Sequence, residues 1–120
     1  RSARRFEEGA YNMAAAAALS ASLGLINEYG IENVWRDNEA LTARVCEGAL
    51  RMGFKIASPR GDGERSGIVC LDLCGRDATE TAKRLAEQGI HIAPRRGWLR
   101  VSAHFYNSAE QVDALLDALK

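Results

Sequence analysis

Lysine is scarce in this sequence, and positive charge comes mostly from arginine. The 120 residues contain only Lys55, Lys83 and Lys120 beside thirteen arginines. The 16 basic residues are balanced by 16 acidic ones, so the formal net charge is zero and no excess charge is available to neutralise phosphates. The balance therefore excludes a nucleic-acid binder. Chemistry that needs a Schiff-base lysine has only three candidates.

Cysteine is equally sparse. Cys46, Cys70 and Cys74 form no C-x-x-C pair and do not stand at zinc-ligand spacing from His91 or His104. We therefore expect no metal site. We interpret all three cysteines as reduced thiols of an intracellular protein that pack in its interior.

The sequence also lacks a long apolar run. No stretch approaches the roughly 20 residues of a membrane span, while 47% of the residues are hydrophobic. A chain of this length can bury one core. We predict one soluble, cytoplasmic domain without a membrane partner. Because the sequence starts on a basic segment without methionine, we expect it to begin inside a longer protein.

Helix and strand signals alternate along the chain. Asn12 is a candidate N-cap and Gly30 a candidate stop for an alanine-rich helix, whose small side chains predict close packing against another element, partly outside this chain. The other predicted elements are a helix at 32–52, strands at 54–58 and 68–73, a helix at 77–88, strands at 90–94 and 98–105, and a helix after Ser108. The near-continuous apolar run at 68–73 predicts burial on both faces. This order predicts an α+β fold, with a mainly antiparallel three- to four-stranded sheet covered by helices on one face and preceded by a long N-terminal helix.

The fourth predicted strand is the most informative segment. Its alternation separates a core side from an outward row of donors and aromatics made of Trp98, Arg100, Ser102 and His104. An arginine within such a row is suited to holding a carboxylate by two parallel hydrogen bonds. The alternative is an arginine that is solvated or paired with an acid. Arg95 and Arg96 form a basic hairpin tip that is either solvated or contributes to binding a polar substrate group.

Three segments together resemble one enzyme family. Residues 97–108 (GWLRVSAHFYNS) resemble the closing signature of the class V aminotransferases, pyridoxal-phosphate enzymes of fold type I that include cysteine desulfurases, selenocysteine lyases, kynureninases and isopenicillin N epimerase-like proteins. Residues 5–12 (RFEEGAYN) resemble the family's R-F-E-x-G-T-x-N stretch, and residues 65–69 (RSGIV) resemble an R-S-G-I-V strand. The segments occur in the family's order and at about its spacing.

The resemblance implies that residues 13–120 are the C-terminal small domain of such an enzyme and that residues 1–12 lead out of a missing large domain. It implies that Arg100 binds the α-carboxylate of an amino-acid substrate. His104 shares the predicted face of Arg100 and is a second candidate for contact with the substrate or the large domain; the alternative is a histidine whose hydrogen bonds are satisfied by Asn107 or the backbone. The resemblance further implies a homodimer in which Gly9 and Asn12 border the cofactor at the interface. Ala10 replaces the family's threonine, so the hydroxyl contact to the cofactor phosphate is absent.

Two departures narrow the expected activity. Only residues 95–97 connect the third and fourth predicted strands, which leaves no loop for the nucleophilic cysteine of desulfurases. None of the three lysines resembles the Schiff-base site, so the isolated chain is predicted to be inactive. Transaminase, lyase and epimerase chemistry all stay open. The alternative from another class is a free-standing α+β module that binds a small acid or a partner without catalysis.

Overall fold

The chain folds into four helices and four strands over the part described by the structure, a computed structural model covering Gly9 and residues 12–120. The helices are α1 (Met13–Tyr29), α2 (Ile31–Arg51), α3 (Ala78–Glu87) and α4 (Ala109–Ala118), and the strands are β1 (Lys55–Ile56), β2 (Ile68–Asp72), β3 (Ala93–Arg95) and β4 (Trp98–Ser102). The chain divides into two compact units, one ending at Ile31 and one spanning Glu32–Lys120. The predicted α+β fold class is confirmed.

Helix α1 begins and ends where the sequence predicts. The Asn12 Oδ1 accepts a hydrogen bond from the Ala15 backbone N–H at 3.0 Å, which satisfies one of the donors left free at a helix start. Gly30 ends the helix with φ 91°, a conformation that favours glycine. No residue of α1 is buried, and most of its larger apolar side chains, among them Met13 and Leu25, are exposed. Tight packing of this helix stays a prediction.

The second unit is built on an antiparallel sheet with strand order β1-β2-β4-β3. Alternate residues of the central strands, including Val69, Leu71 and Leu99, are fully buried on one face. Residues from three helices complete the core there: Leu41, Val45 and Ala49 of α2; Ala78, Ala82 and Leu85 of α3; Val112, Leu115 and Leu116 of α4. The single-sided helical cover therefore follows from one apolar stripe on each helix.

Two of these helices start at side-chain caps predicted from the sequence. The Asp77 carboxylate accepts from the backbone N–H groups of Thr79 and Glu80, and Ser108 forms a reciprocal capping box with Gln111. The helix starts are therefore specified locally.

The predicted strand boundaries are partly wrong. Strand β2 is buried on one face only, because α2, α3 and α4 all pack against that face: Ile68 is 43% exposed whereas Val69 is 0% exposed. The third strand begins at Ala93 rather than at residue 90, since the Ile90 N–H still bonds to Leu85 at the end of α3. Strand β1 holds two residues rather than five.

The apolar spacing in α3 predicts an inner stripe of Ala78, Ala82, Leu85 and Ala86, and the structure differs from it at one position. Ala86 is exposed, and Thr81 is buried instead. The Thr81 hydroxyl is satisfied by donating to the Asp77 carbonyl at 2.7 Å, which makes its burial tolerable.

Among the described helices, none has the length and apolarity needed to cross a membrane.

Candidate functional site

Helices α2, α3 and α4 pack on one face of the sheet, and the face opposite to them is named the outer face. Strand β4 contributes alternate residues to it, because side chains along a strand alternate between faces while Leu99 and Val101 point into the core. Residues that lie directly opposite each other on neighbouring strands point to the same face, so the register of β4 with its neighbours identifies the other residues of the outer face. The outer face comprises Trp98, Arg100 and Ser102 of β4, Ile68, Cys70 and Asp72 of β2, Ala93 and Arg95 of β3, and Lys55 of β1.

Arg100 lies in the middle of β4 on the outer face, as predicted. Its side chain is half-buried, and its Nε–H is buried without an acceptor among the described residues. None of the ion pairs in the described part of the chain involves Arg100. The alternative of an arginine locked to an acid is therefore not what this geometry shows.

Small side chains flank Arg100 on both neighbouring strands. Its cross-strand partners are Cys70 on β2 and Ala93 on β3. The backbone N–H of Cys70 donates to the Ser58 hydroxyl and its carbonyl accepts from Ala57, so both groups point away from β4. Cys70 and Arg100 thus form a non-hydrogen-bonded pair, the kind in which side chains approach more closely. Both side chains directly opposite Arg100 on the neighbouring strands are therefore small.

The hairpin between β3 and β4 brings a second arginine to the outer face. Arg95 pairs directly with Trp98, and only Arg96 and Gly97 separate them. These two residues have φ of 50° and 83°, the pair of positive values that defines a type I′ turn. The turn keeps the pairing in register up to its tip. Arg95 is therefore held on the same face as Arg100.

The sequence predicts a fourth strand that extends to residue 105 and includes His104. This prediction is wrong, because His104 lies beyond the end of β4. Strand β4 ends at Ser102 because Asn107 closes a turn with His104: its side-chain Oδ1 accepts from the His104 N–H, and its N–H donates to the His104 carbonyl. The His104 ring stacks on Tyr106 at 4.3 Å between centroids, and its buried Nδ1 has no partner among the described residues. Its position relative to substrate stays a prediction.

The two predicted cofactor contacts belong to the first unit. Gly9 has φ 88° and is exposed, and a Cβ built on it meets nothing within 4 Å. The Asn12 Oδ1 is used as the helix cap described above. Ala10 lies outside the described residues, as do residues 1–8 and Tyr11. The roles of Gly9 and Asn12 stay predictions.

The cysteines are all free, but they do not all pack in the interior. Cys46 on α2 is half-buried against the core, and burial raises the pKa of its thiol. Cys70 is half-buried on the outer face beside Arg100. Cys74 is exposed, with φ 53°, so its interpretation as a packing residue is wrong: it follows β2 in a turn outside the sheet.

No group of histidine, cysteine and acidic side chains suited to a metal ion exists among the described residues. The lysines also do not fit a Schiff-base site. Lys83 is exposed on α3, Lys120 is exposed and pairs with Asp117, and Lys55 is exposed opposite Asp72 on the edge strand β1. Of the side chains on the outer face, Arg100 is the one best placed to bind an anion.

Sequence reasoning missed the neighbours of Arg100. Cys70 lies thirty residues before it in the chain, and the helix α3 and strand β3 come between them. Only the pairing of β2 with β4 brings the two together, and no local signal specifies that register. Arg95 was identified as part of a hairpin tip, but its placement on the same face as Arg100 depends on the two-residue turn.

The sequence matches the family model described as aminotransferase class-V over residues 1–115. The chain belongs to the class V aminotransferases. Members of this family are pyridoxal-phosphate enzymes, which agrees with the resemblance of the three sequence segments.

Among curated proteins, an uncharacterized aminotransferase of Bacillus subtilis is 30% identical over 119 residues, covering 98% of this chain and 31% of that protein. A probable cysteine desulfurase of Pyrococcus abyssi is 26% identical over 129 residues, covering 97% of this chain and 32% of that protein. The chain thus spans about a third of the length of these relatives.

Solved structures give the same placement. The cysteine desulfurase from Thermococcus onnurineus aligns with a TM-score of 0.89 at 25% identity, covering 98% of this chain and 32% of that one. An alanine–glyoxylate aminotransferase from Nostoc aligns with a TM-score of 0.74 at 23% identity, covering 98% of this chain and 33% of that one, and shares the fold. The four helices and the antiparallel sheet are those of a fold type I small domain.

Proposed function

We propose that this chain is the C-terminal small domain of a pyridoxal-phosphate-dependent class V enzyme acting on an amino acid, and that Arg100 binds the substrate carboxylate. The observation that carries the proposal is the environment of Arg100: a half-buried guanidinium on the outer face of the sheet, with a buried Nε–H that has no acceptor among the described residues. A buried donor without an acceptor costs about 1–3 kcal/mol. A carboxylate that accepts from it removes this cost.

The arginine side chain suits a carboxylate in particular. Its planar guanidinium offers parallel N–H donors that match the two oxygens, whereas a lysine offers a point charge. Its direct cross-strand neighbours, Cys70 and Ala93, are small and carry no charge that would compete for the ligand. By orienting the bound amino acid, Arg100 acts on substrate position rather than on proton transfer.

The cofactor is assigned to a large domain outside this chain. Pyridoxal phosphate supplies the electron sink for carbanion chemistry when bound, and it needs a lysine to hold it covalently. Lys55, Lys83 and Lys120 do not fit that role, so the chain alone is expected to be inactive. The proposed partners are the amino-acid substrate, the large domain of the same enzyme and a second subunit, whose cofactor Gly9 and Asn12 would border.

Within the family, transaminase, lyase or epimerase chemistry is favoured over cysteine desulfuration. Only Arg96 and Gly97 separate β3 from β4, which leaves no loop there for a nucleophilic cysteine. The alignment with the probable cysteine desulfurase extends over 129 residues, more than the 120 of this chain, so that relative carries residues without a counterpart here. The alignment with the uncharacterized aminotransferase of Bacillus subtilis extends over 119 residues, fewer than the 120 of this chain.

The test is made in the full-length enzyme. Arg100→Ala should lower kcat/KM for the amino-acid substrate about 10- to 100-fold, mainly through KM, because one charge-assisted pair contributes about 1.5–3 kcal/mol. The cofactor absorbance should stay unchanged. Arg100→Lys should recover part of the loss, and Arg96→Gln at the exposed turn serves as the matched control. Unchanged kinetics in Arg100→Ala, or a reading frame without an upstream large domain, would refute the proposal and favour a free-standing acid-binding module.

A further inference from the structure

The outer face carries a second arginine close enough to Arg100 to act on the same ligand. Arg95 pairs with Trp98, and Arg100 stands two residues further along β4, so the two arginines are diagonal neighbours across adjacent strands. Diagonal neighbours have Cβ atoms about 7–8 Å apart, within reach of each other through long side chains. Two long guanidinium side chains can therefore converge on one small molecule.

Neither arginine is neutralised within the described part of the chain. Arg95 and Arg100 take part in none of its ion pairs. The acid on the same face, Asp72, has Lys55 as its cross-strand partner and accepts from the Cys74 backbone N–H at 2.9 Å. Ala93 lies beside Arg100 and two positions before Arg95, and around it the outer face presents these two arginines without an ion pair among the described residues.

Backbone geometry fixes this arrangement. Arg96 and Gly97 make the shortest hairpin connection, so β3 cannot slip against β4 without breaking the turn. A slip by one residue would place Arg95 on the opposite face. Arg95 and Arg96 are both exposed, but Arg96 sits in the turn itself with φ 50°, which makes it a cation of the same type outside the paired face.

Resting on the proposed function, we infer that Arg95 is a specificity-determining residue that binds the distal acidic group of the substrate, so that the enzyme prefers amino acids with a second carboxylate, such as glutamate or aspartate, to those with an apolar side chain. Arg100 binds the α-carboxylate common to all amino acids. Arg95 meets only the group that distinguishes the diacids. The electrostatic attraction between Arg95 and the distal acidic group is stronger where the large domain excludes water.

The experiment compares glutamate, aspartate and alanine as substrates of the full-length enzyme and its variants. The wild type should show a higher kcat/KM for one of the diacids than for alanine. Arg95→Gln should lower kcat/KM for that diacid tenfold or more, as expected for loss of a charge-assisted pair, while the value for alanine changes less than about threefold. Arg95→Lys should retain part of the preference, and Arg96→Gln should leave both values unchanged.

The outcomes separate this inference from the proposed function. If Arg100→Ala impairs every amino acid while Arg95→Gln affects glutamate, aspartate and alanine equally or not at all, the inference is overturned and the proposed function stands. A wild-type preference for alanine over both diacids also overturns it. If Arg100→Ala has no effect on any substrate, the proposed function fails and the inference fails with it.

Discussion

Arg44 on α2 holds Asp113 on α4 through two parallel hydrogen bonds of 2.6 Å, from Nε to Oδ1 and from Nη2 to Oδ2. The two residues are 69 positions apart in the chain, and their pairing joins α2 to α4. Hydrogen bonding by Arg44 lowers the pKa of the Asp113 carboxyl below its usual range and raises that of the guanidinium. Both side chains are nearly half exposed, so solvent and salt screen the interaction.

We expect Asp113→Asn to flatten part of the acid dependence of stability. Since the folded pKa of Asp113 is depressed, its contribution is present above the ordinary carboxyl pKa of about 4 and is lost as the pH falls through the lower folded value. The variant should therefore be less stable than wild type at neutral pH and approach it in acid. Urea unfolding over a pH series measures the difference.

A matched control is Asp62→Asn, in an exposed loop and outside the ion pairs of the described residues. Glu110 also has a lowered pKa, caused by hydrogen bonds from Ser108 and its own backbone, and the Asp113 charge acts on it as well, so the difference curve reports on Asp113 together with its effect on Glu110. Parallel curves for wild type and Asp113→Asn would contradict the assignment.

Helix α2 approaches α4 closely at Gly48. A Cβ built on this glycine would lie 2.6 Å from Cδ2 and 3.0 Å from Cγ of Leu116, a buried residue. We expect Gly48→Ala to lower the free energy of unfolding by about 1 kcal/mol, because overpacking costs about 1–3 kcal/mol and better helix propensity offsets about 1. Chemical denaturation gives the value.

The double variant tests the cause. Leu116→Ala alone leaves a cavity and should cost about 2–5 kcal/mol, but combined with Gly48→Ala the new methyl occupies part of it, so the double variant should cost less than the summed effects. Gly24→Ala in α1, where an added Cβ meets nothing within 4 Å, is the control and should not destabilise. Additive effects in the cycle would rule out the steric explanation.

Local features of this fold, such as the helix caps, could be predicted from the sequence, whereas the pairing of its strands could not. The caps at Asn12, Asp77 and Ser108 act within three residues, so a single chain segment specifies each. The alternation of β4 likewise identified Arg100 and its face. The exposed side of β2 was missed because an apolar run does not reveal how many layers cover it, and His104 was misplaced because the turn closed by Asn107 ends β4 early.

The surroundings of Arg100 show the same limit. That Cys70 and Ala93 flank it depends on β2 and β3 both pairing with β4, and the β2 contact spans thirty residues of chain. Register between such distant strands is decided by the shared core around Val69 and Leu99, not by a motif. The proposed role of binding the substrate's α-carboxylate depends on family resemblance, because the geometry of Arg100 suits a carboxylate without distinguishing one carboxylate from another.

The hairpin turn that positions Arg95 holds a strained residue. Arg96 has φ 50°, and a residue with a bulky side chain in the left-handed region carries a cost of about 1–2 kcal/mol that asparagine and glycine largely avoid. We expect Arg96→Asn, which creates the Asn-Gly pair preferred in type I′ turns, to raise the free energy of unfolding by about 0.5–1 kcal/mol in urea denaturation. Arg96→Val, with a β-branched side chain, should lower it. If both variants shift stability in the same direction, backbone conformation does not control this turn, and the register that places Arg95 beside Arg100 must be maintained by strand pairing alone.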